Sequence, residues 1–313
     1  SKFEKIWIVA CGTAYHAGLF GKDLFEKVLG VPVSVELASE FRYREPIVGK
    51  NDLGIVISQS GETMDTIAAT ELLKENGSHV LALVNVVGSS LARMADSVFY
   101  LHVGPEIGVA STKAYLGMLV SQLVLAKHWD SKNRLDVSFD EIAELPNLID
   151  KTMACEDQIK EISEKIYKKN DIYFIGRGLD YALAAEGALK LKEISYLHAE
   201  ALAAGELKHG TLALIEEGTP VVVTASQNHL LDKTTSNVQE VIARGAYVIA
   251  IGDSESEKLE NISTDYVSLP DSHEILTTVI SIIPLQFIAY HVANKNGQSI
   301  DQPRNLAKSV TVE

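Results

Sequence analysis

Cysteine is nearly absent from this chain of 313 residues, which contains only Cys11 and Cys155. Two cysteines are too few for a disulfide framework or a cysteine-rich metal cluster. The histidines show no HxxxH or HExxH spacing, so the sequence predicts no metal site and no other cofactor. The low cysteine content fits a reduced, cytoplasmic setting.

Basic residues are also in short supply. The chain has 28 Lys plus Arg against 42 Asp plus Glu, a net charge of −14, and it has no run rich in Lys or Arg. This charge balance argues against nucleic acid or an anionic membrane as the partner. If the substrate is phosphorylated, local N–H and hydroxyl groups in a concave site must bind it against the overall negative field.

Long apolar runs are missing as well. The segment before Ile6 is too short to hold a signal peptide, so no secretion is predicted. The longest apolar stretch, 279–293, is interrupted by Pro284, Gln286 and His291 and falls short of the roughly 20 residues that span a bilayer. It predicts a buried helix with a kink or restart at Pro284.

An internal repeat is the main organising feature of the sequence. A chain of this length is expected to form two domains, and 46% hydrophobic residues suffice for both cores. Short, nearly continuous apolar runs alternate with helical segments, which predicts parallel strands covered on both faces in an α/β fold. The corresponding segments are 6–15 with 172–181 (offset 172 − 6 = 166), 55–58 with 221–224, and 80–84 with 248–252.

The boundary between the two halves is predicted near residue 148. A break is expected at 145–147 around Pro146, followed by one long amphipathic helix over 151–169. The end of the chain has few apolar positions and no clear period, which predicts an extended tail; a disordered terminus is the alternative. The expected domains are 1–148, 149–297 and the tail 298–313.

The segment SQSGET, residues 58–63, follows the apolar run 53–57 and precedes a segment of helical period. Backbone N–H groups at a helix start, the helix dipole and the hydroxyls of Ser58, Ser60 and Thr63 together suit a phosphate. A simple helix cap is the alternative, since Ser and Thr are favoured caps. The equivalent segment 224–229 lacks the glycine, so one phosphate site is predicted, in the first half.

This hexapeptide resembles the phosphosugar-binding segment of sugar isomerase (SIS) domains. Four further segments match in the expected order: ACGT at 10–13, VASTK at 109–113, ELKHG at 206–210 and DQPRNLAKSVTVE at 301–313. Together they resemble the isomerase half of the glutamine–fructose-6-phosphate aminotransferase (glucosamine-6-phosphate synthase) family, over essentially the whole chain. The resemblance implies two tandem SIS domains, each a parallel-sheet three-layer α/β sandwich, with a tail that reaches the active site.

The same resemblance implies an activity. The chain is expected to bind fructose-6-phosphate, form an imine at C2 and move a proton between C1 and C2. The product would be glucosamine-6-phosphate in the full enzyme and glucose-6-phosphate without ammonia. Full-length members carry an N-terminal glutaminase domain. This sequence is expected to lack that domain, so it should not use glutamine unaided.

The resemblance assigns catalytic roles to four residues. Lys308 would form the imine, and for this its amine must be unprotonated part of the time. Burial, or a neighbouring positive charge such as Arg304, would lower its pKa enough. Glu193 would transfer the proton, supported by Lys190 on the same helix face. His209 would assist ring opening from the neighbouring subunit of a homodimer. The alternatives are a solvated Lys308, an exposed i,i+3 ion pair and a surface-loop histidine.

Substrate binding is likewise implied by the resemblance. The expected contacts are Ser58, Gln59, Ser60 and Thr63 at the phosphate, Gly12 and Thr13 at the adjacent turn, Val109 and Ser111 near the sugar, and Ala307 in the tail. Cys11 is interpreted as a small buried residue rather than a nucleophile. Two positions depart from the family pattern: Ala14, where serine is frequent, and Thr211, where proline is common.

Three other functions remain open at this point. A phosphosugar-binding regulator without catalysis would leave the matching tail unexplained. A sugar-phosphate deaminase or deglycase of the same fold would differ in its amino-sugar products. A nicotinamide-binding domain is disfavoured because Cys11-Gly12-Thr13 and Gly176-Arg177-Gly178 do not complete a GxGxxG turn.

Overall fold

The structure, a computed structural model, describes residues 3–310. These residues belong to two compact units: the first contains the chain up to Asp136 and again from Asn305, and the second contains Val137–Arg304. Thr311, Val312 and Glu313, the end of the matching tail motif, lie outside the described residues.

The first unit is built on a parallel five-stranded sheet with the order β2-β1-β3-β4-β5. Its strands are β1 Ile6–Ala10, β2 Val33–Leu37, β3 Leu53–Ser58, β4 His79–Val84 and β5 Ser97–Tyr100. Its helices are α1 Gly12–Leu29, α2 Ala38–Phe41, α3 Met64–Glu75, α4 Ser90–Met94 and α5 Lys113–Trp129.

Both faces of this sheet are covered. All residues of β1 and β3 are buried, as expected for central parallel strands. On one face Val9 and Val56 pack with Leu73 of α3. On the other face α1 approaches the sheet, with Gly18 close to Ile8. The core therefore consists of alternate strand residues that face two helical layers.

The second unit repeats this design. Its parallel sheet has the order β7-β6-β8-β9-β10, which is again 2-1-3-4-5 within the unit. Its strands are β6 Asp171–Gly176, β7 His198–Ala203, β8 Pro220–Ala225, β9 Tyr247–Gly252 and β10 Asp265–Ser268. Its helices are α6 Phe139–Ala143, α7 Leu145–Met153, α8 Glu156–Ile166, α9 Leu179–Ser195, α10 Leu231–Ile242, α11 Glu257–Ile262, α12 Glu274–Ile280 and α13 Ile282–Lys295. The predicted α/β class and the internal repeat are confirmed.

The segment that leads into the second unit differs from the prediction. The break expected at 145–147 is wrong: α7 begins at Leu145, and Pro146 occupies its first turn, where a missing N–H breaks no helical bond. The single helix expected over 151–169 is wrong as well. The chain turns at Ala154 and Cys155, with Cys155 N–H bonded to the Thr152 carbonyl, and α8 follows. The units divide between 136 and 137, and the domain boundary near 148 stays a prediction.

The apolar stretch near the end of the second unit forms a restarted helix, as predicted. Helix α12 ends before Ser281, and α13 then begins with Pro284 in its first turn. The segment Glu274–Lys295 is long and apolar enough to cross a membrane, but 83% of its most apolar window is buried inside the protein. It is therefore a core helix pair.

Candidate active site

The candidate site of the first unit lies where β1 and β3 end. These strands are parallel neighbours, and the helices that follow them, α1 and α3, cover opposite faces of the sheet. Such a switch point leaves a crevice at the carboxyl ends of the strands, the usual ligand position in open α/β sheets. The turns at Cys11–Thr13 and at 58–63 flank this crevice.

The turn at 58–63 is held by its own hydroxyl groups. Gly61 N–H donates to the buried Ser58 Oγ at 3.0 Å, and Ser58 Oγ lies 3.2 Å from Thr63 Oγ1. Glu62 N–H donates to Ser60 Oγ at 3.2 Å. Thr63 precedes α3 without a side-chain cap bond to it. The serines therefore shape the turn, and the simple-cap alternative does not describe Thr63.

Gly61 offers a test of how tightly this turn is built. Its φ is +67°, and a Cβ would lie 2.1 Å from Ser89 Oγ and 2.6 Å from Ser89 Cβ. We expect Gly61→Ala to lower the free energy of unfolding by about 2–4 kcal/mol through backbone strain plus overlap. The control is Gly88→Ala, with φ +71° and no atom within 4 Å of its Cβ position, which should cost about 1 kcal/mol. Unfolding free energies are measured in urea. If both variants lose the same amount, the overlap with Ser89 does not restrict the turn.

The described part of the tail belongs to the first unit and contacts this turn. Ser309 Oγ lies 3.2 Å from Ser60 Oγ. The N–H of Met64, the first residue of α3, donates to the Val310 carbonyl at 3.3 Å. Ala307 is exposed, and residues 305–310 contain no helix or strand, as predicted for an extended tail.

Lys308 is held by a carboxylate. Its Nζ donates to Glu106 Oε2 at 2.9 Å; the Lys308 side chain is 26% exposed and that of Glu106 only 5%. The positive neighbour expected for Lys308 is therefore not what the structure shows. The guanidinium of Arg304 instead lies over the ring of Tyr196, 4.2 Å from its centroid.

Glu106 was not predicted from the sequence. It lies in the loop between β5 and α5, and its Oε1 accepts N–H bonds from Thr112 at 2.8 Å and Ala114 at 3.3 Å. Burial raises the pKa of Glu106, but these N–H bonds and the Lys308 ammonium outweigh it and lower the pKa below its usual value. The carboxylate is therefore ionised. In the sequence, Glu106 stands out only as a glutamate ahead of a helix start. It lies six residues before Thr112, whereas a capping side chain bonds an N–H two or three residues further on.

The other residues predicted to bind substrate lie in the same unit. Gly12 is exposed with a φ of +54° at the start of α1, followed by the half-buried Thr13. Val109 and Ser111 are half-buried in the Glu106 loop. The half-buried Cys11 has a raised thiol pKa because of burial, which fits a structural role.

Gln59 lines a pocket of about 580 Å³ together with Asn85, His102 and Glu106. The Gln59 carbonyl accepts the N–H of Asn85 at 3.1 Å, which ties the 58–63 turn to the end of β4. The pocket thus joins the predicted phosphate turn to the carboxylate that holds Lys308.

Lys190 and Glu193 lie on α9 of the second unit, as the helical period predicted. Lys190 is 1% exposed; its Nζ lies 2.5 Å from Glu193 Oε2 and 3.4 Å from Glu186 Oε1. The exposed-ion-pair alternative is therefore wrong. Burial lowers the pKa of Lys190, but the two glutamates outweigh it and raise the pKa. Glu186 was missed, although its i,i+4 spacing to Lys190 could have indicated it.

The two glutamates differ in accessibility. The Glu186 side chain is fully buried, whereas that of Glu193 is 22% exposed. Of this pair, Glu193 is thus the carboxylate open to a ligand. Lys190 remains an ammonium beneath it.

His209 is exposed at the end of the 3-10 helix Ala204–His209. Gly210 follows with a φ of +152°, and Thr211 opens the next 3-10 helix, Thr211–Leu214. An exposed ring is compatible with a role in another subunit and with a surface histidine. The cross-subunit role stays a prediction.

The second unit has its own switch point, between β6 and β8. Asp180, in the first turn of α9, is buried there and accepts bonds from Ser226 N–H at 3.0 Å and Ser226 Oγ at 2.5 Å. Burial outweighs these bonds and raises the pKa of Asp180 to about 6.

Within residues 3–310, no group of three or more His, Cys, Asp or Glu could hold a metal ion.

The raised pKa of Asp180 predicts a pH dependence of stability. A carboxyl whose folded-state pKa exceeds the unfolded value binds more protons when folded, so stability rises as pH falls through 6. The other titrating groups contribute equally to the wild type and to Asp180→Asn, so the difference between the two unfolding free energies isolates Asp180. This difference should grow by about 1 kcal/mol in favour of the wild type from pH 7 to pH 5. Urea unfolding at both pH values measures this difference. A difference of the opposite sign would contradict the assignment.

Comparison with known proteins identifies the class. The family model of the SIS domain matches residues 1–127 and 165–294, the two repeats described above. The chain belongs to the SIS domain family.

Within this class, the chain belongs with the C-terminal domain of glucosamine-fructose-6-phosphate aminotransferase. The solved structure of that domain from Francisella tularensis is 41% identical, with a TM-score of 0.91 over 96% of this chain and 87% of that one. The glutamine–fructose-6-phosphate aminotransferase [isomerizing] of Clostridium tetani is 50% identical over 318 residues, covering 100% of this chain and 52% of the relative. The chain thus spans about half the length of the curated relatives that it matches.

A more distant structure shares the fold alone. The glucosamine-6-phosphate deaminase of Thermotoga maritima is 23% identical, with a TM-score of 0.78 over 98% of this chain.

Proposed function

We propose that the chain binds fructose-6-phosphate and is the isomerase part of a glutamine–fructose-6-phosphate aminotransferase. The observation that carries this proposal is the meeting of the 58–63 turn with Ser309 and Val310, next to Lys308, in one unit. The names of the similar aminotransferases support the choice of substrate and reaction.

In this proposal the phosphate lies at the first switch point. Ser60 and Thr63 donate their hydroxyls, Ser58 keeps the turn in shape, and the start of α3 adds its dipole. The remaining proposed contacts are Gln59, Gly12 and Thr13 to the phosphate, and Val109, Ser111 and Ala307 to the sugar.

The carbonyl chemistry is assigned to Lys308. Its amine adds to the C2 ketone, and loss of water then gives the imine. The amine must first lose a proton. The Glu106 carboxylate, at 2.9 Å, favours the charged form, so in our proposal Lys308 leaves this contact before its amine adds. We assign to His209, supplied by the neighbouring subunit of a homodimer, the proton transfer that opens the sugar ring.

The proton transfer between C1 and C2 is assigned to Glu193. Its carboxylate is partly exposed and hydrogen-bonded to the buried Lys190 ammonium. Glu193 removes the C1 proton and returns one to C2, while Lys190 stabilises the negative charge that develops. Glu186 keeps Lys190 charged from the buried side.

The nitrogen donor lies outside this chain in our proposal. The relatives' names include glutamine, and the chain spans about half of their length. We assign ammonia delivery to a glutaminase domain of the full-length enzyme. The expected products are glucosamine-6-phosphate with that domain and glucose-6-phosphate without it. We further propose a cytoplasmic location, and functional domains at 1–148, 149–297 and 298–313.

Calorimetry tests the binding step. The chain is titrated with fructose-6-phosphate, with fructose and with inorganic phosphate. Saturable binding of the sugar phosphate with fructose at least about 100-fold weaker would support a phosphate-anchored site. Equal affinity for fructose would contradict it.

A further inference from the structure

The two switch points correspond residue by residue. Gly12, with φ +54°, begins α1, and Gly178, with φ +56°, precedes α9. Their offset is 178 − 12 = 166. Trp7 pairs with Gly54 in the first sheet, and Tyr173 pairs with Val221 in the second, so β3 and β8 are related by an offset of 221 − 54 = 167. By this register Ser226 corresponds to Gln59, and Gln227 corresponds to Ser60. The turn after β3 and the turn after β8 are therefore equivalent positions of one repeated design.

The second switch point is filled by a side chain of the protein itself. Asp180 accepts both the backbone N–H and the hydroxyl of Ser226, at 3.0 and 2.5 Å. Gln227 Nε2 adds a longer bond to the same carboxylate at 3.4 Å. These three residues are buried. With a pKa of about 6, Asp180 is ionised at neutral pH, so an internal anion accepts the hydrogen bonds of this serine.

The space around Gly178 is also more crowded than the space around Gly12. A Cβ on Gly178 would lie 2.9 Å from Gln227 Oε1 and 3.0 Å from Leu230 Cδ1. A Cβ on Gly12 would have no atom within 4 Å. The crevice is therefore packed in the second unit and open beside Gly12 in the first.

The residue that corresponds to Asp180 in the first unit is Ala14 (180 − 166 = 14). It is 7% exposed, and its methyl group cannot accept a hydrogen bond. The turn at 58–63, unlike the equivalent turn with Ser226 and Gln227, thus has no carboxylate from this helix position to bond with.

We propose that the residue at this position decides which switch point can bind a phosphosugar. Ala14 leaves the first one open, and Asp180 closes the second by acting as a built-in mimic of a phosphate oxygen. The inference rests on the proposed function, because it takes the phosphate to bind at Ser60. It implies one phosphosugar per chain, bound through the first unit.

The test places a carboxylate in the first unit. Ala14→Asp copies Asp180, and Ala14→Asn has nearly the same shape without the charge. Fructose-6-phosphate should bind about 100-fold more weakly to Ala14→Asp than to Ala14→Asn. A carboxylate at this position competes with the phosphate for the N–H and O–H donors of the 58–63 turn, and it repels the phosphate. Binding is measured by calorimetry, with thermal unfolding to confirm that both variants fold.

The outcomes separate this inference from the proposed function. Equal affinity of the two variants, or two sugar phosphates per wild-type chain, would overturn the inference alone. If Ala14→Asp fails to fold, a stoichiometry of two sugar phosphates per wild-type chain would still overturn the inference. Absence of binding to the wild type would overturn the proposed function and this inference with it.

Discussion

Lys308→Arg is expected to abolish covalent trapping of fructose-6-phosphate and to lower turnover by about three orders of magnitude or more. A guanidinium stays protonated and cannot form an imine with a ketone. The substitution keeps the positive charge beside Glu106, so the fold and the sugar-phosphate affinity should change little. Borohydride reduction followed by mass spectrometry measures the trapped adduct.

Two controls make this result specific. Peptide mapping of the wild-type adduct should place the label on Lys308 and leave Lys113 unlabelled, although Lys113 is also bonded to the Glu106 loop, through the Pro105 carbonyl. Lys27→Arg, on an exposed position of α1, should trap and turn over like the wild type. Trapping that survives in Lys308→Arg would show that another amine reacts.

Glu193→Gln is expected to separate binding from proton transfer. The amide cannot take the C1 proton, so isomerisation should fall by about 10² to 10⁴-fold. Sugar-phosphate affinity and borohydride trapping should persist, because neither step is assigned to Glu193. The buried Lys190 still has Glu186 at 3.4 Å, so the variant should fold.

The matched control for this variant is Glu200→Gln, an exposed carboxylate on β7 of the same unit. It should leave turnover unchanged. If Glu193→Gln loses trapping together with turnover, Glu193 acts before proton transfer. If it keeps wild-type turnover, the assignment is wrong.

The fold could be predicted because its signals are continuous in the sequence. Buried parallel strands produce short apolar runs, and their repetition at offsets of 166 to 168 residues defines two units before any contact is known. The same signals failed at 145–169. There Pro146 suits the first turn of a helix as well as a break, and the turn at Cys155 has no glycine or proline to mark it.

The candidate site was only partly predictable. Helical spacing gave the shared face of Lys190 and Glu193, but spacing does not reveal whether that face is buried. Glu106 was missed because its partner Lys308 lies 202 residues further along the chain. Asp180 became informative only when its bonds to Ser226 and Gln227 were compared with the equivalent turn at 58–63.

The most direct test of the central claim is turnover of fructose-6-phosphate by this chain alone, with no nitrogen donor present. The product is followed as glucose-6-phosphate in a coupled assay. Our account predicts steady formation of glucose-6-phosphate that is lost in Glu193→Gln. Saturable binding of fructose-6-phosphate without any glucose-6-phosphate would contradict the account and would favour a phosphosugar-binding regulator.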